Sequence, residues 1–175
     1  MKSFSYVVII FVSMMSTHVH ALQLDADSSN ATLSFSGQHA GMTFTGVFER
    51  WQSQLILPPN QEPSIKAEFI LASAKTGDST YDETLPEEDW FHVEKFPVAR
   101  FISTQINLLV DGYRVEGTLE LKGKGLPIIF NLHNREDKLI GNFDVDRLAY
   151  GIGLESDPGA EWVSQNIRLS LTINL

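Results

Sequence analysis

The chain has 175 residues, which is enough for one domain with a single buried core. It carries 22 acidic and 13 basic residues, a formal net charge of −9, which argues against nucleic acid or an anionic lipid surface as its partner. It contains no cysteine, which excludes disulfides, thiolate nucleophiles and c-type haem attachment.

The first 21 residues have the three-part layout of a secretory signal peptide. Lys2 supplies a positive leader, residues 4–15 are mostly apolar, and residues 19–21 end in a cleavage-site-like VHA. We expect cleavage after Ala21 and export to the periplasm or out of the cell, with an uncleaved amphipathic anchor as the alternative. Residues 22–175 would then form one domain with no stable membrane insertion.

Between residues 33 and 71, apolar and polar side chains alternate with the period of two that is typical of half-buried β-strands. Met42, Phe44 and Phe48 share one face, and residues 65–71 repeat the pattern. This half of the domain therefore predicts several antiparallel strands.

Residues 72–98 break the alternation. They include the stretch EEDWFHVEKFP, in which three acids run directly into Trp90 and Phe91. We interpret this segment as one or two short helices and a loop over one end of the sheet. The two rings would cover apolar surface while the acids stay in water.

Alternation returns after residue 99 and continues to the C-terminus. Asp111-Gly112 favours a hairpin turn, and two further turns are predicted near Gly123 and at residues 134–138. The whole pattern predicts an all-β domain of about eight antiparallel strands, arranged as a sandwich or a barrel.

Two patterns that could indicate chemistry lack the context that the chemistry needs. Residues 77–79 and the pair Asp89 and His92 resemble esterase blocks, but they lie close together in an all-β chain, so no catalytic triad is expected. The histidines His39, His92 and His133 are not spaced as metal ligands, so no metal site is predicted.

Arg147 and His39 are candidate contacts for a ligand headgroup. The guanidinium of Arg147 has donors that could hold a diphosphate or a carbonyl group, and the alternative is a salt bridge to Asp144, Asp146 or another surface acid. The alternative for His39 is a hydrogen-bonded structural role.

Phenylalanines are frequent in the predicted strands. Side chains at such positions ordinarily form the core, but about eight strands in a barrel can also enclose one small ligand. The residue pattern leaves both arrangements open for Phe35, Phe44, Phe48, Phe69, Phe101, Phe130 and Phe143.

Five blocks of sequence form an ordered set across nearly all of residues 22–175. They read SFSGQHAGMTFTGVF, DWFHVEKFPVARFIST, VEGTLELKG, RLAYGIG and VSQNIRLSLTINL. Together they resemble the YceI family of exported polyisoprenoid-binding proteins.

The resemblance implies an extended eight-stranded antiparallel barrel, similar to a lipocalin, with one or two short helices in a connecting segment. It implies an apolar tunnel for an isoprenoid lipid such as a polyprenyl diphosphate or ubiquinone, with no catalytic residues and no other cofactor. His39 and Arg147 stay candidate headgroup contacts in this interpretation. The expected tunnel lining is Phe35, Met42, Phe44, Phe48, Phe69, Trp90, Phe91, Phe101, Val115, Leu119, Phe130, Phe143 and Val145.

A second interpretation is a non-carrying accessory protein of the cell envelope. Its barrel would be solidly packed, and its acidic surface would recognise a protein or respond to envelope stress. The oligomeric state stays open in both interpretations, and a dimer is one option.

Overall fold

The computed structural model describes residues 23–60 and 62–175, and these residues form an all-β fold. The predicted signal peptide lies outside them. A 3₁₀ turn covers Leu71–Ser73, and one helix, α1, covers Ser79–Thr84. The strands β1 to β11 are Gln23–Asp27, Ala31–His39, Met42–Phe48, Trp51–Ile56, Ser64–Ile70, Ala74–Lys75, Val98–Leu109, Gly112–Leu121, Lys124–Arg135, Lys138–Asp146 and Asn166–Asn174.

All strands pair antiparallel in one sheet, in the order β1-β4-β5-β7-β8-β9-β10-β11-β2-β3-β6. The sheet curls into a half-barrel, which confirms the predicted all-β, lipocalin-like fold class. A register shift between Ser103 and Gln105 marks a bulge in β7. Such bulges sharpen the local bend of a strand and help a sheet to curl.

The sheet has eleven strands, whereas the sequence pattern predicts about eight. The two strands without a counterpart in the sequence pattern are β1 and β6, which are short. In β1 only Ala26 is buried, and β6 consists of Ala74 and Lys75 alone. β6 is too short to show a period of two, and in β1 only Leu24 and Ala26 carry the alternation.

Two-residue turns join β2 to β3, β7 to β8, β8 to β9 and β9 to β10. Val110 and Asp111 form the turn between β7 and β8, one residue earlier than the predicted Asp111-Gly112 turn. At the next turn, Lys122 and Gly123 have φ values of 49° and 74°. Positive φ at both central residues is typical of the two-residue hairpin turns that match the twist of the strands.

The two ends of the half-barrel differ. At the end formed by the β7–β8 and β9–β10 turns, the side chains of Ile106, Tyr113, Val115, Leu139 and Ile173 are at most 7% exposed and fill the interior. We call this the packed end.

The opposite end is covered by residues 76–97, which include α1, and by the loop between β10 and β11. We call residues 76–97 the lid. In the part of the chain that the structure describes, no helix has the length and apolar character needed to span a membrane.

Candidate ligand cavity

An apolar cavity of about 150 Å³ lies inside the half-barrel. Inward-facing side chains of β2 to β5 and β7 to β11 form its wall, and the lid contributes Leu85, Trp90 and Phe91. Among the described residues of the wall, Ser53 is the one hydroxyl-bearing side chain and Arg147 the one charged side chain.

Most residues of the predicted lining lie in this wall. The placement follows from the period of two, because alternate residues of each strand face the interior. Those that line the cavity are Phe35, Phe44, Phe48, Phe69, Trp90, Phe91, Phe101, Leu119, Phe130, Phe143 and Val145. Contact between these side chains and a ligand stays a prediction.

Met42 and Val115 do not line the cavity, contrary to the sequence-based expectation. Met42 is 68% exposed because it is the first residue of β3, beside the Ala40-Gly41 turn and beyond the end of the hollow. Val115 is fully buried, but it belongs to the packed end, where it is paired with Ile106 and Phe130.

Sequence reasoning missed part of the wall. Trp51, Ser53 and Leu55 all face the cavity from β4, and Ile65 and Ala67 face it from β5. Reading the period of two backwards from Leu55 would have found Trp51, but the polar Ser53 between them hides the apolar face.

Glycines in the strands allow large rings to lie flat against the sheet. Gly46 is paired with Phe35, and a Cβ atom on Gly46 would collide with the Phe35 ring and with the Lys75 carbonyl oxygen. A Cβ on Gly117 would lie 2.5 Å from the Phe101 ring. The two glycines therefore keep these rings out of the cavity and preserve its width.

The lid places its aromatic pair over the hollow, as the sequence predicts. Phe91 is 9% exposed, and its ring centroid lies 6.4 Å from that of Phe48. The neighbouring acids Glu87 and Glu88 are exposed. The aromatic and acidic parts of the motif thus belong to the inner and outer sides of one covering segment.

Polar contacts fasten the lid to the loop between β10 and β11. The Asp89 carboxylate accepts hydrogen bonds from the backbone N–H of Glu155 (2.9 Å) and from the N–H (3.0 Å) and Oγ (2.6 Å) of Ser156. Lys122 Nζ donates to the carbonyl oxygens of Asp89 and Gly151, both at 2.7 Å. Burial raises the pKa of Asp89, but the hydrogen bonds from Ser156 and Glu155 outweigh it, so the net pKa is lowered.

Arg147 forms a buried ion pair beside the cavity. Its Nη2 lies 2.6 Å from the Asp157 carboxylate, and the two side chains are 2% and 6% exposed. Its other donors bind backbone carbonyl oxygens, among them Ile152 at 2.8 Å and Ser164 at 3.2 Å. The Trp90 ring packs 5.8 Å from the guanidinium.

These contacts correct the salt bridge expected from the sequence. Asp144 is paired with Arg168 at 2.9 Å, and Asp146 accepts from the backbone of Leu148, so neither is the partner of Arg147. Protein acceptors already occupy the guanidinium of Arg147. Its bonds therefore hold together the loop that closes the lid end of the barrel. A headgroup contact would require some of these bonds to break.

His39 and His133 have protein partners outside the cavity wall. His39 Nδ1 and the Tyr81 hydroxyl lie 2.6 Å apart, which ties α1 to the end of β2. His133 Nδ1 lies 3.1 Å from the Asp111 carboxylate. Residues 23–60 and 62–175 contain no group of three or more His, Asp or Glu side chains that could hold a metal ion.

Comparison with curated proteins gives relatives in enterobacteria. The chain is 29% identical to a UPF0312 protein of Photorhabdus laumondii over 112 residues, which are 62% of this chain and 58% of that protein. It is 25% identical to a UPF0312 protein of Yersinia enterocolitica over 152 residues, which are 85% of this chain and 77% of the relative.

Comparison with solved structures supports the fold. Burkholderia cenocepacia BcnA superposes with a TM-score of 0.76 at 21% identity, over 84% of this chain and 97% of BcnA. A structure described as a polyisoprenoid binding domain from Saccharophagus degradans, implicated in plant cell wall breakdown, superposes with a TM-score of 0.61 at 14% identity. That match covers 89% of this chain and all of the other.

The family comparison covers nearly all of the described residues. The model of the YceI-like domain matches residues 23–175, a range that includes every strand, the lid and the cavity wall. The chain therefore belongs to the YceI family.

Proposed function

We propose that this protein binds a long-chain isoprenoid lipid, such as a polyprenyl diphosphate or a ubiquinone-like molecule, and holds its tail in the cavity. The observation that carries the proposal is the apolar cavity inside the half-barrel, walled by aromatic and aliphatic side chains. Family membership and the likeness to a polyisoprenoid binding domain support it.

The driving force would be the burial of the tail. Each methylene group removed from water contributes about 0.8 kcal/mol, so a long tail needs no charged anchor. The cavity of about 150 Å³ is comparable to an engineered apolar cavity that binds benzene, and a long tail needs several times that room. We therefore expect the lipid-bound protein to have a wider cavity, with displaced wall rings or a displaced lid.

We propose a binding role rather than catalysis. The esterase-like residues 77–79 have a structural function, because Asp78 caps α1 by accepting from the backbone N–H of Thr80 and Tyr81. A binding role also agrees with the description of the Saccharophagus neighbour as a polyisoprenoid binding domain.

The proposed place of action is the periplasm or the outside of the cell. This part of the proposal rests on the signal-peptide pattern of residues 1–21. Cell fractionation and N-terminal sequencing of the mature protein would test it, and an intact N-terminus on the fractionated protein would contradict it.

A second candidate is the non-carrying envelope protein. The closely packed end of the barrel and the modest cavity volume favour it, since the interior is already largely filled by side chains. Its acidic outer surface would then be the functional part.

Mass spectrometry of organic extracts from the protein purified from its native envelope separates the two candidates. A long-chain isoprenoid present at close to one molecule per chain is the expected result. A lipid-free extract from well-folded protein that also fails to take up added isoprenoids would favour the second candidate.

A further inference from the structure

The Trp51 side chain carries a hydrogen-bond donor that nothing in the described protein satisfies. Trp51 lines the cavity and is 6% exposed. Its indole Nε1 is buried, and among the described residues it has no hydrogen-bond partner. It is the one buried side-chain nitrogen or oxygen atom of residues 23–60 and 62–175 in this condition.

An unpaired buried N–H loses the hydrogen bond that it made to water in the unfolded chain. Native structures rarely leave such a group without a reason, and a bound water or ion is one recognised reason. An oxygen of a bound ligand would satisfy the donor in the same way. A phenylalanine at this position would bury a ring of similar character without that loss. The choice of tryptophan therefore suggests an acceptor in the cavity.

A second polar group lies on the same face of β4. Ser53 follows Trp51 by two residues, lines the cavity, and donates from Oγ to the Lys66 carbonyl oxygen at 3.1 Å. We call Trp51 and Ser53 the β4 notch. Apart from Arg147, it is the polar part of the described wall.

The β4 notch lies at the lid end of the cavity. Trp51 is paired with Phe69, and their ring centroids are 6.3 Å apart. Phe48 lies 6.2 Å from Phe69 and 6.4 Å from Phe91 of the lid. A lipid with its tail directed toward the packed end would therefore place its oxygen-bearing end near Trp51.

The charges of the wall favour an uncharged acceptor. Arg147 is the one cationic residue of the described wall, and Asp157 and backbone carbonyl oxygens occupy its guanidinium. A phosphate inside the cavity would lose its hydration without gaining a free cation, and burial of an unpaired charge is strongly unfavourable.

We infer that Trp51 Nε1 donates a hydrogen bond to an uncharged oxygen, a carbonyl or a hydroxyl, of the lipid bound in the cavity. The inference rests on the proposed function and narrows the ligand to neutral oxygen-bearing lipids of isoprenoid type. A diphosphate headgroup would stay outside the cavity.

Nitrogen-15 NMR of the wild-type protein tests the contact directly. The chain has three tryptophans, so three indole N–H signals are expected, and Trp90→Phe and Trp162→Phe assign the third signal to Trp51 by elimination. The probes are geranylgeraniol, geranylgeranyl diphosphate and a hydrocarbon of the same length. We expect only geranylgeraniol to shift the Trp51 indole proton downfield.

Affinity measurements give an independent readout. Trp51→Phe should weaken geranylgeraniol binding about tenfold and change hydrocarbon binding by less than about twofold, because only the donor is removed. Trp162→Phe is the matched control, since Trp162 is 62% exposed and does not line the cavity, and it should leave both affinities unchanged.

The outcomes separate this inference from the proposed function. Binding of geranylgeraniol with no change at the Trp51 indole would overturn the inference alone. If geranylgeranyl diphosphate shifts the Trp51 signal and binds more tightly than geranylgeraniol, the requirement for a neutral group is overturned. If none of the probes binds to the wild-type protein, the proposed function and the inference both fail.

Discussion

At the residue scale, the ion pair between Arg147 and Asp157 is the most consequential polar contact. Asp157 also accepts from the backbone N–H of Glu161 and Val163, so one carboxylate organises the loop that closes the lid end. The sequence could not identify this partner. Ten residues separate Arg147 from Asp157, and nearer acids in the strand pattern looked equally suitable.

We predict that Asp157→Ala destabilises the protein by about 3–5 kcal/mol, because it leaves the buried guanidinium without its counter-charge. Urea unfolding of the mature chain would measure the change in the free energy of unfolding. Asp144→Ala is the matched control, since its pair with Arg168 is 47% and 57% exposed, and it should cost only a small part of that loss. Equal losses in the two variants would contradict the special role of the buried pair.

At the element scale, the lid explains why an acidic stretch precedes two large rings. Residues 76–97 have one short helix, so they depend on contacts with the barrel and with the loop between β10 and β11, among them the Lys122 and Asp89 bonds. His92 within the lid has a φ of 49°, and its backbone N–H donates to the Glu87 carbonyl oxygen at 2.8 Å. This local turn directs Trp90 and Phe91 toward the cavity.

We predict that replacing Trp90 and Phe91 together by alanine exposes apolar surface and weakens lipid retention. The rings form part of the cavity wall, so their loss opens the lid end to water. Fluorescence of an apolar dye should rise, and lipid co-purification should fall several-fold.

Trp162→Ala is the control for the lid variant, because it removes an exposed ring outside the cavity wall. Dye binding and lipid content that match the wild type in the lid variant would refute its covering role.

The strands were predictable from sequence where they are long. The period of two located β2, β3, β5 and most of the second half, and Asp111-Gly112 located a turn, because these signals depend on local chemistry. The place of Val115 in the packed end could not be predicted from alternation. Alternation assigns a residue to the inner face, but only the curl of the sheet decides whether that face is packed or hollow.

At the scale of the whole molecule, the free energy of unfolding depends on pH in the acid range, because folding lowers the pKa of buried or hydrogen-bonded carboxyl groups. Burial raises the pKa of Asp157, but hydrogen bonds from Val163, Trp162 and Glu161 outweigh it, and the net pKa lies below its ordinary value of 3.8. The pKa of Asp89 is lowered in the same direction. A carboxylate whose folded-state pKa is depressed contributes stability that is present above the unfolded pKa and lost below it.

We predict that the free energy of unfolding stays nearly level around neutral pH and falls as the pH drops below about 4. Asp89→Asn should lower the free energy of unfolding at neutral pH. It should also reduce the slope of that free energy against pH in the acid range. Chemical unfolding at a series of pH values would measure both effects, with the exposed neighbour Glu88→Gln as control. An unchanged acid slope in Asp89→Asn would exclude Asp89 from this linkage.

The difference between the two ends of the barrel has a topological consequence. Tyr113, Leu139 and Ile173 fill the far side of the hollow, and we predict that a guest enters at the other end, beneath Trp90 and Phe91. A guest that enters there would leave by the same route. Donor and acceptor would therefore have to dock in turn against the same face, so the protein would work as a shuttle and not as a conduit.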